Sequence, residues 1–351
     1  MIASSNSDRR GLLAAGNFIV DHVKTIDVWP KQDALANIVG EVSANGGSPY
    51  NILINLTKLG AAFPLQAAGC VGADANGAFV REHCRSAGIA VGQLHELRDA
   101  ATSYTDVMTV RSDGRRTFFH QRGANARFGR EHVDFTVTRA RHFHLGYMLL
   151  LDALDALDDA GKPGHADLLA RARAAGLTTS VDCVSEESDR FASILLGTLP
   201  EVDLLFANDF EAEKLTGLRL GRGEEVEPEQ FRRAAAELLR LGVRQVVVIH
   251  APEGVCAVTK SGEARWQPSV ALPGRMIAGA AGAGDALAAG VLYGWHEGWP
   301  LERALELGTC AAAASLTHAS CSEGVRTVEE SLRFGRELGF RGAGQRWSTG
   351  N

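Results

Sequence analysis

No apolar run in this sequence approaches the roughly 18 residues that a membrane-spanning helix needs, and the opening stretch from Met1 to Arg10 is too polar for a secretory signal. A positive field is missing as well. Lys and Arg number 36 against 42 Asp and Glu, a net charge of −6, so the chain offers nothing to attract nucleic acid or an anionic membrane. Cysteine is sparse and scattered: Cys70, Cys84, Cys183, Cys256, Cys310 and Cys321 form no C-x-x-C pair and no ligand-like cluster, which fits reduced thiols in a cytoplasm. There is no internal repeat and no coiled-coil heptad. With 45% hydrophobic and 22% charged residues, what is left is an ordinary soluble globular chain whose default partner is a small molecule. The expected folded unit spans residues 11–340, with loose tails at 1–10 and 342–351.

Glycine and alanine, by contrast, are concentrated in one place. Gly279 to Ala283 are five small residues in a row, followed by Gly284, a single carboxylate at Asp285, and a helical pattern of Leu287, Val291, Leu292 and Trp295. The first N–H groups of a helix have no partner within it and carry the positive end of the dipole, so phosphate binds there readily. Small residues let an anion approach the backbone. A carboxylate beside such a nest has two readings. It is a base that accepts the proton of an attacking hydroxyl in phosphoryl transfer, or it is an ordinary acidic residue in a first helical turn.

Gly282-Ala283-Gly284-Asp285-Ala286 resembles the second signature of the ribokinase-like, or PfkB, carbohydrate kinases, which reads Asp-Thr-x-Gly-Ala-Gly-Asp. The resemblance implies that Asp285 is the catalytic base and that Ala281, Gly282, Ala283 and Gly284 form the anion hole for ATP. Gly279-Ala280 stand where the family has Asp-Thr, so the side-chain oxygens of the monovalent-cation site that many members build nearby are missing.

Earlier in the chain, Asn45-Gly46-Gly47-Ser48-Pro49-Tyr50-Asn51 leads into a helix with Leu53, Leu56 and Leu59, closed by Gly60. It resembles the family's first signature, Gly-Gly-x-x-x-Asn. A short strand at Phe18-Ile19-Val20 ends in Asp21, and an acid at a strand tip is either a ligand contact or a solvated turn residue. The resemblance implies that Asp21, Gly46, Gly47 and Asn51 hold the hydroxyls of a sugar-like acceptor. Residues 102–110 and 116–122 alternate around the turn at 111–115, which predicts a β-hairpin. With strands near 18–23 and 36–42, the family resemblance makes this hairpin a small sheet that lids the sugar site. His120 and Arg122 then face substrate or a partner subunit, or are plain edge residues, and the lid implies a homodimer.

His142 and His144 share one face of a predicted strand. A pair at that spacing suits a metal only with a third ligand, which the sequence does not place; packing or lining of the cleft is the other reading. Beyond them, strands and helices alternate up to His250, which argues a parallel sheet covered on both faces. Asn208 and Glu211 resemble the family's Asn-x-x-Glu motif, implying a role in holding Mg²⁺ and phosphates, and the same pattern is also a helix cap. Asp182 and Ser185 sit at a neighbouring strand tip. In the Ala-rich helix from Leu301 to Leu316, Ala311 and Ala314 are the expected contacts of a flat nucleotide base. The implied fold is a three-layer α/β/α sandwich of roughly nine parallel-type strands. The implied activity is transfer of the γ-phosphoryl of ATP to a sugar hydroxyl, with a nucleoside kinase or a catalytically silent sensor as alternatives.

Overall fold

The computed structural model describes residues 9–112 and 114–342. In chain order the elements are β1 (Leu12–Gly16), β2 (Ile19–Ile26), β3 (Ile38–Gly46), α1 (Ser48–Leu59), β4 (Leu65–Gly72), α2 (Ala75–Ser86), β5 (Ala90–Leu97), β6 (Tyr104–Val110), β7 (Arg116–Gln121), β8 (His142–Met148), α3 (Asp152–Asp155), α4 (Gly164–Ala174), β9 (Thr178–Cys183) and α5 (Arg190–Thr198). They continue with β10 (Leu204–Asn208), α6 (Asp209–Thr216), α7 (Pro228–Arg240), β11 (Val246–Ala251), β12 (Gly254–Thr259), β13 (Ala264–Pro268), α8 (Ala283–His296), α9 (Leu301–Ser315) and α10 (Val328–Leu338).

β1 shows how the layers arise. All of Leu12 to Gly16 is buried. Because side chains alternate across a strand, Leu12 and Ala14 enter the hydrophobic layer that holds α1 and α8, while Leu13 and Ala15 enter the layer that holds α4, α5 and α7. The helices contribute stripes. In α7, Phe231, Ala234, Ala235, Leu238 and Leu239 recur at three- and four-residue spacing and are the buried positions. Among the described residues the central sheet has nine strands in the order β13-β12-β11-β10-β9-β8-β1-β4-β5. β1 lies between β8 and β4, parallel to both. The chain thus leaves β1 toward one side and later returns on the other, and the carboxyl ends of β1 and β8 open the crevice where such sheets bind ligands.

A second sheet, β3-β2-β6-β7, stands apart from the first. β2 pairs in parallel with β6, and the flanking pairs are antiparallel.

The expected three-layer fold with its lid is present, with four corrections. The first central strand, Leu12–Gly16, was not foreseen, and the strand expected near 18–23 is lid strand β2, so Asp21 lies within the lid sheet and not at a tip of the central sheet. β3 begins later than 36 and runs on to Gly46, because Ile19 of β2 pairs with Gly46. Two of the nine strands, β12 and the edge strand β13, are antiparallel to their neighbours and joined by tight turns, which permit no other orientation. Helix α4 was not foreseen. The expected tails lie outside the described residues except at Arg9, Arg10 and Gly342; Arg9 donates to the carbonyls of Thr138 and Ala140.

Candidate active site

The small-residue stretch forms a turn that opens α8. Gly282, the residue before the helix, has φ 78°, and a Cβ there would lie 2.6 Å from Cys321, so only glycine fits. No side chain caps this N-terminus, which leaves its first N–H groups for a ligand anion. Asp285 is buried in that first turn, and its carboxylate is held by side chains from other elements. It accepts from Asn51 Nδ2 at 2.7 Å and from the Tyr147 hydroxyl at 2.9 Å. A helix-start role does not account for those partners. Burial, then the charge of Asp182, pushes its pKa from the ordinary 3.8 up to about 8.

Around Asp285 lies an end of the cleft built from polar groups. Asn51, in the first turn of α1, is set by a chain: Ser322 Oγ donates to Asn45 Oδ1 at 2.9 Å, and Asn45 Nδ2 donates to Asn51 Oδ1 at 2.6 Å. Gly46 lets the Asp21 carboxylate lie close against the backbone: a Cβ there would stand 2.5 Å from Asp21 Oδ2. Gly47 follows it and immediately precedes α1. Asp21 pairs across strands with Thr105, and Thr105 with His120, so the three share one face of the lid. His120 Nδ1 lies 3.0 Å from Thr105 Oγ1, while its buried Nε2 has no partner. Burial raises the Asp21 pKa to about 7 against the opposing effect of hydrogen bonds from Thr105 and Cys321. From the same face, the Arg116 guanidinium reaches back to within 2.6 Å of where a Cβ on Gly279 would be.

Not every expected residue joins this end. Arg122 donates to Asp152 Oδ1 at 2.7 Å and to the Leu149 carbonyl at 3.0 Å, so its guanidinium braces the lid against the large domain.

On the other side of the anion loop is a largely apolar cavity of about 460 Å³, lined by Ala280, Ala283, Gly284, Leu287, Thr309, Ala312, Ala313 and Leu316, with Asn208 and His250 at its inner end. The expected Ala311 and Ala314 do not line it. Both are fully buried in the core, and the phase of α9 presents Ala312 and Ala313 instead. A smaller cavity of about 240 Å³ shares Asn208, His250 and Gly284 with the first and is lined by Asp182, Ser185, Glu211 and Asp285. It joins the larger cavity to Asp285. Asn208 and Glu211 form a reciprocal cap on α6, Asn208 Oδ1 accepting from Glu211 N and Glu211 Oε2 from Asn208 N, both at 2.9 Å. Ser185 Oγ donates to Glu211 Oε1 at 2.9 Å. The motif is a helix cap whose members also line the smaller cavity. Burial pushes Glu211 up to about 7.

Tyr147, Asn45, Thr105, Arg116 and Cys321 were not singled out from sequence as parts of the site. Asn45 opens the stretch that carries the first signature, and Thr105 and Arg116 lie in the lid hairpin, but none of the three was picked out there.

The sequence model of the family described as pfkB family carbohydrate kinase matches residues 14–328. An ATP-dependent ribose-1-phosphate kinase of Halopiger xanaduensis is 28% identical over 306 residues, covering 86% of this chain and 90% of that protein. A 5-dehydro-2-deoxygluconokinase of Clostridium perfringens is 24% identical over 299 residues, covering 82% and 83%. Among solved structures, Arabidopsis thaliana ribokinase complexed with ribose and ATP superposes with TM-score 0.74 at 19% identity, covering 93% of this chain and 99% of that one. A Methanocaldococcus jannaschii nucleoside kinase gives TM-score 0.72 at 16% identity, covering 95% and 100%. At these identities the structural likeness is one of fold.

Proposed function

The chain belongs to the pfkB family of carbohydrate kinases, an ATP-dependent phosphotransferase for a sugar-like substrate, and we propose that the cleft between lid and large domain carries out the transfer with Asp285 as base. One observation supports this above the others. Asp285 stands at an uncapped helix N-terminus, between the polar end and the nucleotide-sized cavity, with its carboxylate aimed by Asn51 and Tyr147.

In this reading the hydroxyls of the acceptor are bound by Asp21, Asn51 and the backbone at Gly46 and Gly47, with His120 and Arg116 beside them, and the reacting hydroxyl faces Asp285. Asp285 takes the hydroxyl proton, the hydroxyl oxygen bonds to the γ-phosphorus, and the bridging oxygen departs with ADP. N–H groups of Ala281 to Gly284 stabilise the charge on the moving phosphoryl. The base occupies the cavity beside Ala312 and Ala313.

Magnesium binds oxygen ligands, keeps several waters and leans on substrate phosphates, using one or two carboxylates of the protein. The smaller cavity fits that pattern. Among the described residues no cluster of three His, Cys, Asp or Glu side chains converges on a metal. Asp182, however, lines the cavity with Asn208 and Glu211, and its buried Oδ1 has no hydrogen-bond partner. Asn208, Glu211 and Asp182 would hold the ion and its waters, and the ion would neutralise phosphate charge.

The test is ADP release with Mg-ATP over a panel of sugars, sugar phosphates, sugar acids and nucleosides. Turnover with no member, alongside thermal stabilisation by one of them, would identify a binding protein. Phosphorylation of nucleosides alone would shift the substrate class.

A cytoplasmic location is supported by the six free, buried cysteines; no helix among the described residues is long and apolar enough to cross a membrane. Exposed Phe118, Phe119, Ile38 and Val42 on the lid sheet support a homodimer through the lid. Light scattering should then give twice the 37.4 kDa chain mass; a monomer at micromolar concentration would refute it.

A further inference from the structure

One strand end carries a side chain that its packing does not explain. In β11 the side chains of Val246 and Val248 enter the layer that holds α8 and α9, and those of Val247 and Ile249 enter the opposite layer. His250 comes next on the α8 side, where a further apolar residue would continue the packing. The four residues before it are buried, whereas His250 keeps part of its surface open and lines both cavities. It also lacks partners. His142 and His144, buried in β8, engage all four of their ring nitrogens with Ser and Thr hydroxyls. Among the described residues neither ring nitrogen of His250 has a hydrogen-bond partner, and neither is sealed off.

The two cavities share three residues, Asn208, His250 and Gly284. A nucleotide whose base lies in the larger cavity and whose γ-phosphorus approaches Asp285 threads its phosphates between these three. The Asn208 amide is already engaged: Oδ1 accepts from Glu211 N, and Nδ2 donates to Ser185 Oγ at 2.7 Å and to Glu211 Oε1 at 3.1 Å. Gly284 offers backbone only, in the uncapped first turn of α8. A Cβ on Gly284 would stand 3.3 Å from both Cε1 and Nε2 of His250, so that edge of the ring borders the same turn. An imidazole carries one N–H when neutral and two when charged, so a donor is present in either state. With neither nitrogen engaged, the neutral ring is free to carry it on Nε2.

We propose that His250 binds the phosphate chain of the nucleotide, its ring N–H and the backbone N–H groups at the start of α8 converging on the phosphates where the two cavities meet. A hydrogen bond to a charged phosphate oxygen is stronger than one between neutral groups. In a slot whose other walls are mostly apolar, this one side chain makes affinity depend on the phosphates more than on the base. The inference rests on the nucleotide reading of the larger cavity given above, and the experiment separates the two.

Displacement of a fluorescent nucleotide, mant-ADP, reports on the nucleotide cavity. ADP and adenosine compete for it in the parent, His250→Leu and His250→Gln, with Mg²⁺ and with EDTA. His250→Leu removes the donor at similar size, and should weaken ADP by about 10- to 100-fold in both conditions while adenosine stays within about twofold. His250→Gln, whose amide still donates, should keep ADP within about threefold of the parent. ADP affinity in folded His250→Leu within about twofold of the parent, or an equal loss for adenosine, would overturn the contact and leave the nucleotide reading standing. A parent that binds mant-ADP under neither condition would remove the nucleotide reading and this inference together. If His250→Leu does not fold, the ring itself reports. In protein labelled with ¹⁵N at histidine, the His250 ring signal, identified by its loss in His250→Gln, should shift when ADP is added and stay in place when adenosine is. A signal unmoved by ADP would again overturn the contact.

Discussion

At the nucleotide end of the cleft the walls are Ala280, Ala283, Leu287, Ala312, Ala313 and Leu316, and what binds there meets small apolar side chains and backbone. At the acceptor end Asp21, Thr105, His120, Asn51, Asn45 and Ser322 are buried or half-buried and pair with one another. The contrast concerns selectivity more than strength. A polar group desolvated without a partner costs roughly 1–3 kcal/mol, so a site built from such groups rejects molecules that lack a matching hydroxyl. An apolar slot tolerates many flat rings. The acceptor end should therefore decide the substrate, and the nucleotide end should bear most change quietly.

Asp285 sits where the two ends meet, and its loss should have the largest effect. Asp285→Asn keeps the size and removes the proton acceptor, so kcat should fall by about 10²- to 10⁴-fold while nucleotide affinity holds. Turnover within a few-fold of the parent would remove the base from the mechanism. The same variant tests the electrostatics. The folded pKa is raised from 3.8 to about 8, so the stability associated with the protonated group is intact at low pH and lost as pH rises through 8. The thermal midpoint of Asp285→Asn relative to the parent should rise from pH 5 to pH 8.5; a constant difference would contradict the shift.

Asp21→Asn probes the acceptor end alone. It exchanges a buried hydrogen-bond acceptor for an amide, and kcat/KM for the acceptor should fall by about 10²-fold with the KM for ATP unchanged. Equal loss on both substrates would mean that Asp21 acts through lid position and that the division between the ends is false. Ala312→Leu is the converse. Three added carbons fill part of the cavity, so the KM for ATP should rise by about tenfold, or ~1.4 kcal/mol, with acceptor KM unmoved.

The legibility of the two ends from sequence also differs. Asp285, Gly46, Gly47, Asn51, Asn208 and Glu211 are readable because the chemistry is local: a turn that only small residues permit, beside one side chain that a turn does not need. Tyr147 is not, because it meets Asp285 across 138 positions of chain. Its sequence context is that of an ordinary strand end. The phase of α9 failed for a different reason. Ala311 to Ala314 are four identical residues, so no contrast between faces tells which pair meets the cavity. β1 went unread because both its faces are buried and nothing alternates. Asp21 was read both at the tip of a first strand and within a lid strand; it lies inside lid strand β2, which follows β1 after two residues.

The smallest expected effect is that of potassium, and it bears on the nucleotide end as a site of shape and backbone. A monovalent cation needs several oxygen ligands. Gly279 and Ala280 bring no side-chain oxygen, and the N–H groups of Ala278 and Gly279 are committed to the Leu316 carbonyl at 2.8 and 3.3 Å. Carbonyl oxygens alone remain, on a loop whose neighbour across the cleft is the Arg116 guanidinium, itself a cation. An ion placed there would meet like charge. Activity should then change by less than about tenfold, below ~1.4 kcal/mol, when K⁺ replaces a large inert cation at constant ionic strength. A greater rise would show that backbone carbonyls by themselves make a cation site, and the nucleotide end would then depend on a bound charge as the acceptor end depends on its carboxylates.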